Sequence, residues 1–174
     1  MAVIKKELIF VQNIFSKMSA LKKDEYIVNA INNGTVIDHI PPQSLFKVIS
    51  ILGLENINAQ VTFGNNLDSK KYKRKGIIKI ADRFFDDDEV NKIALVAPEA
   101  KLNTIRDYHV VEKREVKVPQ KVAGIVKCLN PKCITNNEKV KTKFFVLAEK
   151  PVTLKCHYCE KIIEQEQMTM LMFY

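Results

Sequence analysis

The sequence predicts an α+β chain: an N-terminal antiparallel sheet with two helices on one face, of the ferredoxin-like kind, followed by a small all-β domain organised by four cysteines. Three observations carry this expectation. Short apolar runs that end in turn residues alternate with two stretches of helical spacing. All four cysteines fall in the last 47 residues, in two close pairs. Between these regions, residues 112–120 are charged, poor in large apolar side chains and interrupted by Pro119.

The elements follow in order. Ile4, Leu8, Val11 and Phe15 share one helical face, so residues 1–25 are read as an extension with a terminal helix. Charges interrupt that stretch and no small-residue cleavage site follows it, which makes it a poor signal peptide. Residues 26–32 (YIVNAIN) read as a first strand that runs apolar into the turn signal Asn33-Gly34. Val36–Ile40 reads as a strand closed by Pro41-Pro42. The proline pair and Ser44 open a helix carrying Leu45, Val48, Ile49 and Leu52, with Gly53 as its stop. Val61–Phe63 is a short strand, residues 68–75 (DSKKYKRK) a basic loop, and Gly76–Ala81 a further strand. The acids Asp86–Glu89 precede Val90, Ile93, Ala94 and Ala97, which predicts a second helix whose first turn complements the helix dipole and which Pro98 ends. Leu102–Arg106 and Tyr108–Val111 complete the first domain as strands. The predicted divisions are 26–116, a linker at 117–122, and 123–174. The last of these contains strands at Ile125–Lys127, Lys143–Ala148 and Val152–Lys155, no helix of useful length between the cysteine pairs, and an apolar tail from Met168.

The cysteine pattern is the most specific chemical signal. Cys128 and Cys133 are separated by four residues, Cys156 and Cys159 by two, and 22 residues lie between the pairs. Short spacers let two sulfurs of one turn reach an ion at ~2.3 Å, and two such turns complete a tetrahedron. With four sulfur ligands no position stays open for water, so the expected metal is structural. Zinc is the usual ion for this set, and iron is the alternative. Lys127, Lys132 and Lys155 flank the thiols and would favour their deprotonation. His157 lies inside a turn already served by two cysteines.

The net charge is +8 and the pI about 9.3, which suits anionic partners. Residues 1–120 hold 19 basic and 15 acidic side chains and residues 121–174 hold 9 and 5, so each part carries +4. Four thiolates around one divalent ion would halve the second figure, which argues against a nucleic-acid role for the cysteine part. No apolar run is long enough to span a membrane. Paired cysteines that bind metal point to a reducing cytoplasm.

Five segments stand in a fixed order: GTVIDHIP (Gly34–Pro41), IIKI (Ile77–Ile80), the run Ala94–Ile105, DYHVV (Asp107–Val111), and the four cysteines. Over roughly residues 25–165 this arrangement resembles the regulatory chains of bacterial aspartate carbamoyltransferases. The resemblance implies a non-catalytic subunit whose first domain binds CTP, UTP or ATP. It implies a zinc domain that docks onto the catalytic chain, and regulatory chains that pair as homodimers. It also implies site residues: Asp38 near base and ribose, His39 near phosphates, Lys79 on the ribose, and Lys113 on the triphosphate. Val28, Ala30 and Ile31 match the segment whose backbone reads the base, with Val36, Ile105 and Tyr108 around it, and Asn103 matches a polar residue of the phosphate region. Glu25 stands near a position that is often lysine in the family, and Asn29 where some relatives have an acid.

Read without the resemblance, each residue has a plainer role. Lys79 is then a strand lysine whose stem covers apolar surface. His39 precedes a proline turn, Tyr108 belongs to a core, and Lys70–Lys75 is a solvated loop. The rival function is a zinc-ribbon nucleic-acid-binding protein. No nucleophile–base pair or open metal position argues for an enzyme.

Overall fold

A computed structural model describes residues 30–168. The expected N-terminal helix, Val28, most of the first expected strand, and the tail beyond Met168 lie outside the described residues. Ala30–Asn33 are not strand. The first sheet is built from β1 (Gly34–Ile40), β2 (Val61–Ser69), β3 (Lys73–Ala81), β4 (Lys101–Arg106) and β5 (His109–Glu115). A single 3-10 turn at Pro42–Ser44 leads into α1 (Leu45–Ile51), and α2 (Asp87–Val96) joins β3 to β4. The strand order is β2-β3-β1-β4-β5, and every neighbouring pair is antiparallel. Up to β4 this is the split β-α-β-β-α-β arrangement of ferredoxin-like folds. β5 adds a hairpin at one edge.

The sheet has two unlike faces because its strands alternate. Ile37 stands opposite Ile78 on one side and Leu102 on the other, and Thr35 stands opposite Ile80. These residues are buried, and the three isoleucines and Leu102 join Leu45, Val48, Val90 and Ile93 from the helices in one core. Burying one such side chain contributes roughly 1.5–3 kcal/mol. Thr35 is the polar exception on this face, and its hydroxyl donates to the Arg83 carbonyl at 2.7 Å. Val36 and Ile105 are also buried, yet they belong to the opposite face and not to that core.

Local signals placed the helices. Asp86 accepts from the Glu89 N–H and the Glu89 carboxylate accepts in return from the Asp86 N–H, a reciprocal cap before α2. Gly53 adopts φ 59° after α1, where a side chain would strain the backbone. Gly34, at φ 130°, is required for a second reason. A Cβ there would lie 2.1 Å from the Ile80 carbonyl oxygen.

Two expected boundaries are corrected. Residues 68–75 are not a loop: β2 runs to Ser69 and β3 starts at Lys73, leaving a tight turn. Cross-strand pairing of Asp68 with Arg74 and of Ser69 with Lys73 carries the polar residues into the hairpin. Strand β5 starts at His109 and extends to Glu115, because the Asp107-Tyr108 pair forms the turn, both at positive φ.

The second sheet has the order β6-β7-β8-β9, from β6 (Lys121–Ala123), β7 (Lys143–Glu149), β8 (Val152–Cys156) and β9 (Ile162–Glu164). The strand expected at Ile125–Lys127 is instead β6, which begins inside the segment read as linker. Its Val122 is buried, and Val126 reaches the core from an irregular stretch. Two single-turn helices, α3 (Ile134–Asn137) and α4 (Gln165–Met168), complete the set. The described residues from Ile31 onward belong to one compact unit. Met168 is fully buried, α4 packs on α2, and the Gln165 side chain donates to the Val96 carbonyl at 3.5 Å while accepting from the Val152 N–H at 2.9 Å.

Candidate functional site

The four cysteines converge from the end of β8, the turn after it, and the loop between β6 and α3. Their sulfurs all lie within 4.8 Å of one another. Cys128 and Cys159 approach to 3.4 Å and Cys133 and Cys156 to 3.9 Å. A tetrahedron with ~2.3 Å bonds has edges of about 3.8 Å. A disulfide would require ~2.05 Å, and all four thiols are free. Cys128, Cys133 and Cys156 are buried and Cys159 is half-buried.

The groups that turn toward these sulfurs are hydrogen-bond donors. Burial pushes the Cys128 thiol well above its ordinary range, with partial relief from the Asn130 N–H. Burial also raises Cys156, against the N–H groups of Cys159 and Tyr158. Cys159 goes the other way. Burial would raise it, but the Lys161 N–H, the Asn130 side chain and the neighbouring sulfurs bring it to about 7. Thr135 donates its hydroxyl to Cys133 at 3.3 Å. Of the lysines expected to favour the thiolates, Lys155 is paired with Glu160 at 3.0 Å. Four sulfurs this close, supplied with N–H donors, fit a thiophilic tetrahedral cation.

Sequence reasoning missed the residues that brace this centre. Asn136 donates to the carbonyls of Cys128 and Asn130, at 2.9 and 2.7 Å, and Asn137 to those of Cys133 and Pro131, at 2.8 and 3.0 Å. The signal was present as Thr-Asn-Asn beginning two residues after Cys133, since these side chains readily bond nearby backbone.

The second candidate site lies on the sheet face away from the helices. Val36 stands directly opposite Lys79 on β3 and Asn103 on β4, and Asn103 stands opposite Lys113 on β5. These four residues therefore form one row across adjacent strands, although 77 positions separate the first from the last. The next row includes Asp38, Lys101 and Glu115. Partial burial lowers the pKa of the Lys79 ammonium. At the other end Gly34 stands opposite Ile105, while the Asn32 carbonyl accepts from the Tyr108 N–H at 2.9 Å and Asn33 Oδ1 from the Asp107 N–H at 3.2 Å. Ile31, Ile105 and Tyr108 are thus gathered at one end of the rows. Ala30 and Tyr108 are exposed.

Asp38 and His39 lie at the opposite end, where β1 bulges. Lys75 reaches both Asp38 oxygens, at 2.7 and 2.9 Å. Reading Lys70–Lys75 as a loop hid this partner. Arg74 is likewise paired, with Asp68 at 3.0 Å, so part of the basic run is neutralised within the hairpin.

Among the described residues no helix is long and apolar enough to cross a membrane. Comparison with known proteins bears on both sites. Residues 26–117 match the family model described as the aspartate carbamoyltransferase regulatory chain, allosteric domain, and residues 120–169 match the metal binding domain of the same chain. The chain is similar to the aspartate carbamoyltransferase regulatory chain of Parabacteroides distasonis, with 56% identity over 151 residues, covering 87% of this chain and 98% of the relative. Its counterpart from Bacteroides fragilis is 58% identical over 144 residues, covering 83% and 94%. That from Pyrococcus horikoshii is 51% identical over 146 residues, covering 83% and 96%. These relatives carry the name of a regulatory and not a catalytic subunit. On two family matches that together span the chain from residue 26 to 169, and on relatives more than half identical, this protein belongs to the family of aspartate carbamoyltransferase regulatory chains.

Proposed function

We propose that the chain senses CTP, UTP and ATP on the open face of its first sheet and passes that signal to a catalytic chain docked on its metal domain, thereby controlling pyrimidine biosynthesis in the cytoplasm. The observation that carries this reading is the row Val36, Lys79, Asn103 and Lys113. It sets two cations and an amide beside an apolar floor of Val36 and Ile105, with Asp38 and His39 at one end and Ile31 and Tyr108 at the other. Lysines suit a chain of phosphates and apolar side chains suit a base. Backbone groups near Ile31 distinguish pyrimidine from purine only modestly, which suits a site that accepts both.

In this reading the effector domain covers 26–116, the linker 117–122 and the metal domain 123–174. The ion is Zn²⁺, favoured by an all-sulfur tetrahedral set, and its role is to hold the second sheet together. The surface offered to the catalytic chain is the outer side of that sheet, where Phe145, Leu147 and Ile162 are exposed. Homodimer formation is supported by the edge of β2, which pairs only with β3 among the described residues, and by Phe63 on β2 and Phe46 on α1, both exposed and meeting edge to face at 5.9 Å. A nucleic-acid role has less support, since Lys75 and Arg74 of the basic run are tied to Asp38 and Asp68.

The test is co-purification with a candidate catalytic chain, followed by nucleotide titration of the complex. CTP and ATP are expected to change its activity in opposite directions, and binding must be reciprocal between effector and substrate. Lys113→Ala is expected to weaken both nucleotides about tenfold or more, the loss of a charge-assisted hydrogen bond. Unchanged affinity for both, measured by calorimetry, rejects the triphosphate contact.

A further inference from the structure

Tyr72 lies at the tip of the β2–β3 hairpin, in the basic stretch that the nucleotide reading leaves without a role. Its ring meets the His39 ring edge to face, with centroids 5.7 Å apart and planes at 81°. His39 needs such a contact. It occupies the bulge in β1 where the register with β3 shifts, at φ 61°, a conformation that costs a residue with a side chain. Its backbone N–H donates to Asp38 Oδ1 at 2.7 Å. Its imidazole is held less well. Nδ1 is buried and lies 3.1 Å from Asp38 Oδ2, but without the alignment of a hydrogen bond. The Asp38 carboxylate is already engaged by Lys75 at both oxygens.

The hairpin tip is itself well fixed. The Tyr72 N–H donates to Ser69 Oγ at 3.4 Å and the Tyr72 carbonyl accepts from the Arg74 N–H at 2.6 Å. The Arg74 guanidinium donates to the Asn66 carbonyl at 2.9 Å, and the Lys71 ammonium lies 4.9 Å above the Tyr72 ring. The tip also lines a polar cleft of about 250 Å³ with Lys101 at the start of β4, Glu115 at the end of β5, and Lys117 just beyond it. A ring carried on a hydrogen-bonded hairpin tip therefore abuts an imidazole whose Nδ1 makes no hydrogen bond, beside the open sheet face.

We propose that Tyr72 is a positioning residue of the nucleotide site: the β2–β3 tip presents its ring to the His39 imidazole and holds that imidazole in the orientation that receives the nucleotide. The inference rests on the nucleotide reading above. An edge-to-face aromatic pair of this kind corresponds to about three- to tenfold in affinity.

The experiment is calorimetric titration of CTP and ATP into the full-length, zinc-loaded chain and four variants: Tyr72→Leu, Tyr72→Phe, His39→Asn, and the Tyr72→Leu/His39→Asn double substitution. Tyr72→Leu is expected to weaken both nucleotides about three- to tenfold. Tyr72→Phe keeps the ring and is expected to bind like the parent. In the His39→Asn background the Tyr72→Leu change is expected to add nothing, because its effect passes through the histidine. Equal effects of Tyr72→Leu with and without His39 overturn the proposal, as does a Tyr72→Leu chain that binds like the parent. A parent chain that binds neither nucleotide overturns this proposal and the nucleotide reading together, whereas parental binding with an inert Tyr72 overturns this proposal alone. Tyr72 is 37% exposed at a hairpin tip, so its variants are expected to fold, and an unchanged thermal transition checks this.

Discussion

The five-stranded sheet and the four-stranded sheet sit in one polypeptide unit but draw on different sources of stability. The first buries Ile37, Ile40, Ile78, Ile80, Leu45, Val48, Ile93 and Leu95 to zero exposure beneath two helices, an ordinary hydrophobic core. The second has Phe144, Val152, Leu154 and Ile163 at its centre and then four sulfurs, three of them buried. A segment of some fifty residues rarely supplies enough apolar burial alone. The difference teaches where each region can carry function. The first sheet leaves the face away from its helices for a mixed row of polar and apolar side chains, whereas the second turns backbone N–H groups toward its sulfurs.

The largest expected effect breaks the comparison most directly. Removing the metal with a chelator should unfold the second sheet, because structural zinc contributes about 10–16 kcal/mol in small domains. Amide exchange should lose protection over 121–168 and keep it over 34–106. Simultaneous loss in both regions would mean that the packing of α4 on α2 makes them a single cooperative unit. Acid should act in the same direction as the chelator, since protons compete with the metal for the thiolates.

A smaller effect sharpens the other half. Ile78→Ala removes a fully buried side chain opposite Ile37 and should cost about 2–5 kcal/mol. Denaturant unfolding should register this loss while metal content stays at one ion per chain. Loss of the metal together with stability would again tie the two regions into one unit.

The smallest effect concerns the open face. Burial lowers the Lys79 pKa from its ordinary 10.5, so its positive charge is lost at lower pH than that of a solvated lysine. The charged form is the one that attracts an anion. Nucleotide affinity should therefore be full near neutrality and fall as pH rises through the lowered Lys79 value, and binding should take up protons in that range. Calorimetry in buffers of different ionisation heat reads the uptake. An affinity that stays flat until the ordinary lysine range would remove Lys79 from the site.

Much of this architecture was legible in the sequence because the signals were local. Asp86 and Glu89 are three residues apart, and their reciprocal cap opens α2 as the acids there suggested. Gly53 ended α1, and the short apolar runs around Ile37 and Ile78 gave the strands. The failures were also physical. The run of charges at 68–75 looked like a loop because polarity was taken for irregularity, yet a hairpin edge tolerates charged side chains on paired backbone. The strand expected at Ile125–Lys127 lay a few residues early at β6, since apolar content marks what is buried and Val126 is buried without being strand. Asn136 and Asn137 bond carbonyls four to eight residues upstream, and they escaped notice because only the folded loop brings those carbonyls within reach of their amides.

The sequence by itself determined the two longer helices, the strands around Ile37 and Ile78, the paired cysteines and the family, because each depends on spacing within a short stretch or on residue identity. Only the tertiary structure decided which sulfurs come closest and that Val36, Lys79, Asn103 and Lys113 form one row. It alone brought Lys75 to Asp38 and Tyr72 to His39. These contacts depend on strand register and on hairpin twist, which place side chains dozens of positions apart within a few ångströms. No local pattern encodes such distances, since they follow from how the whole sheet buries its apolar face.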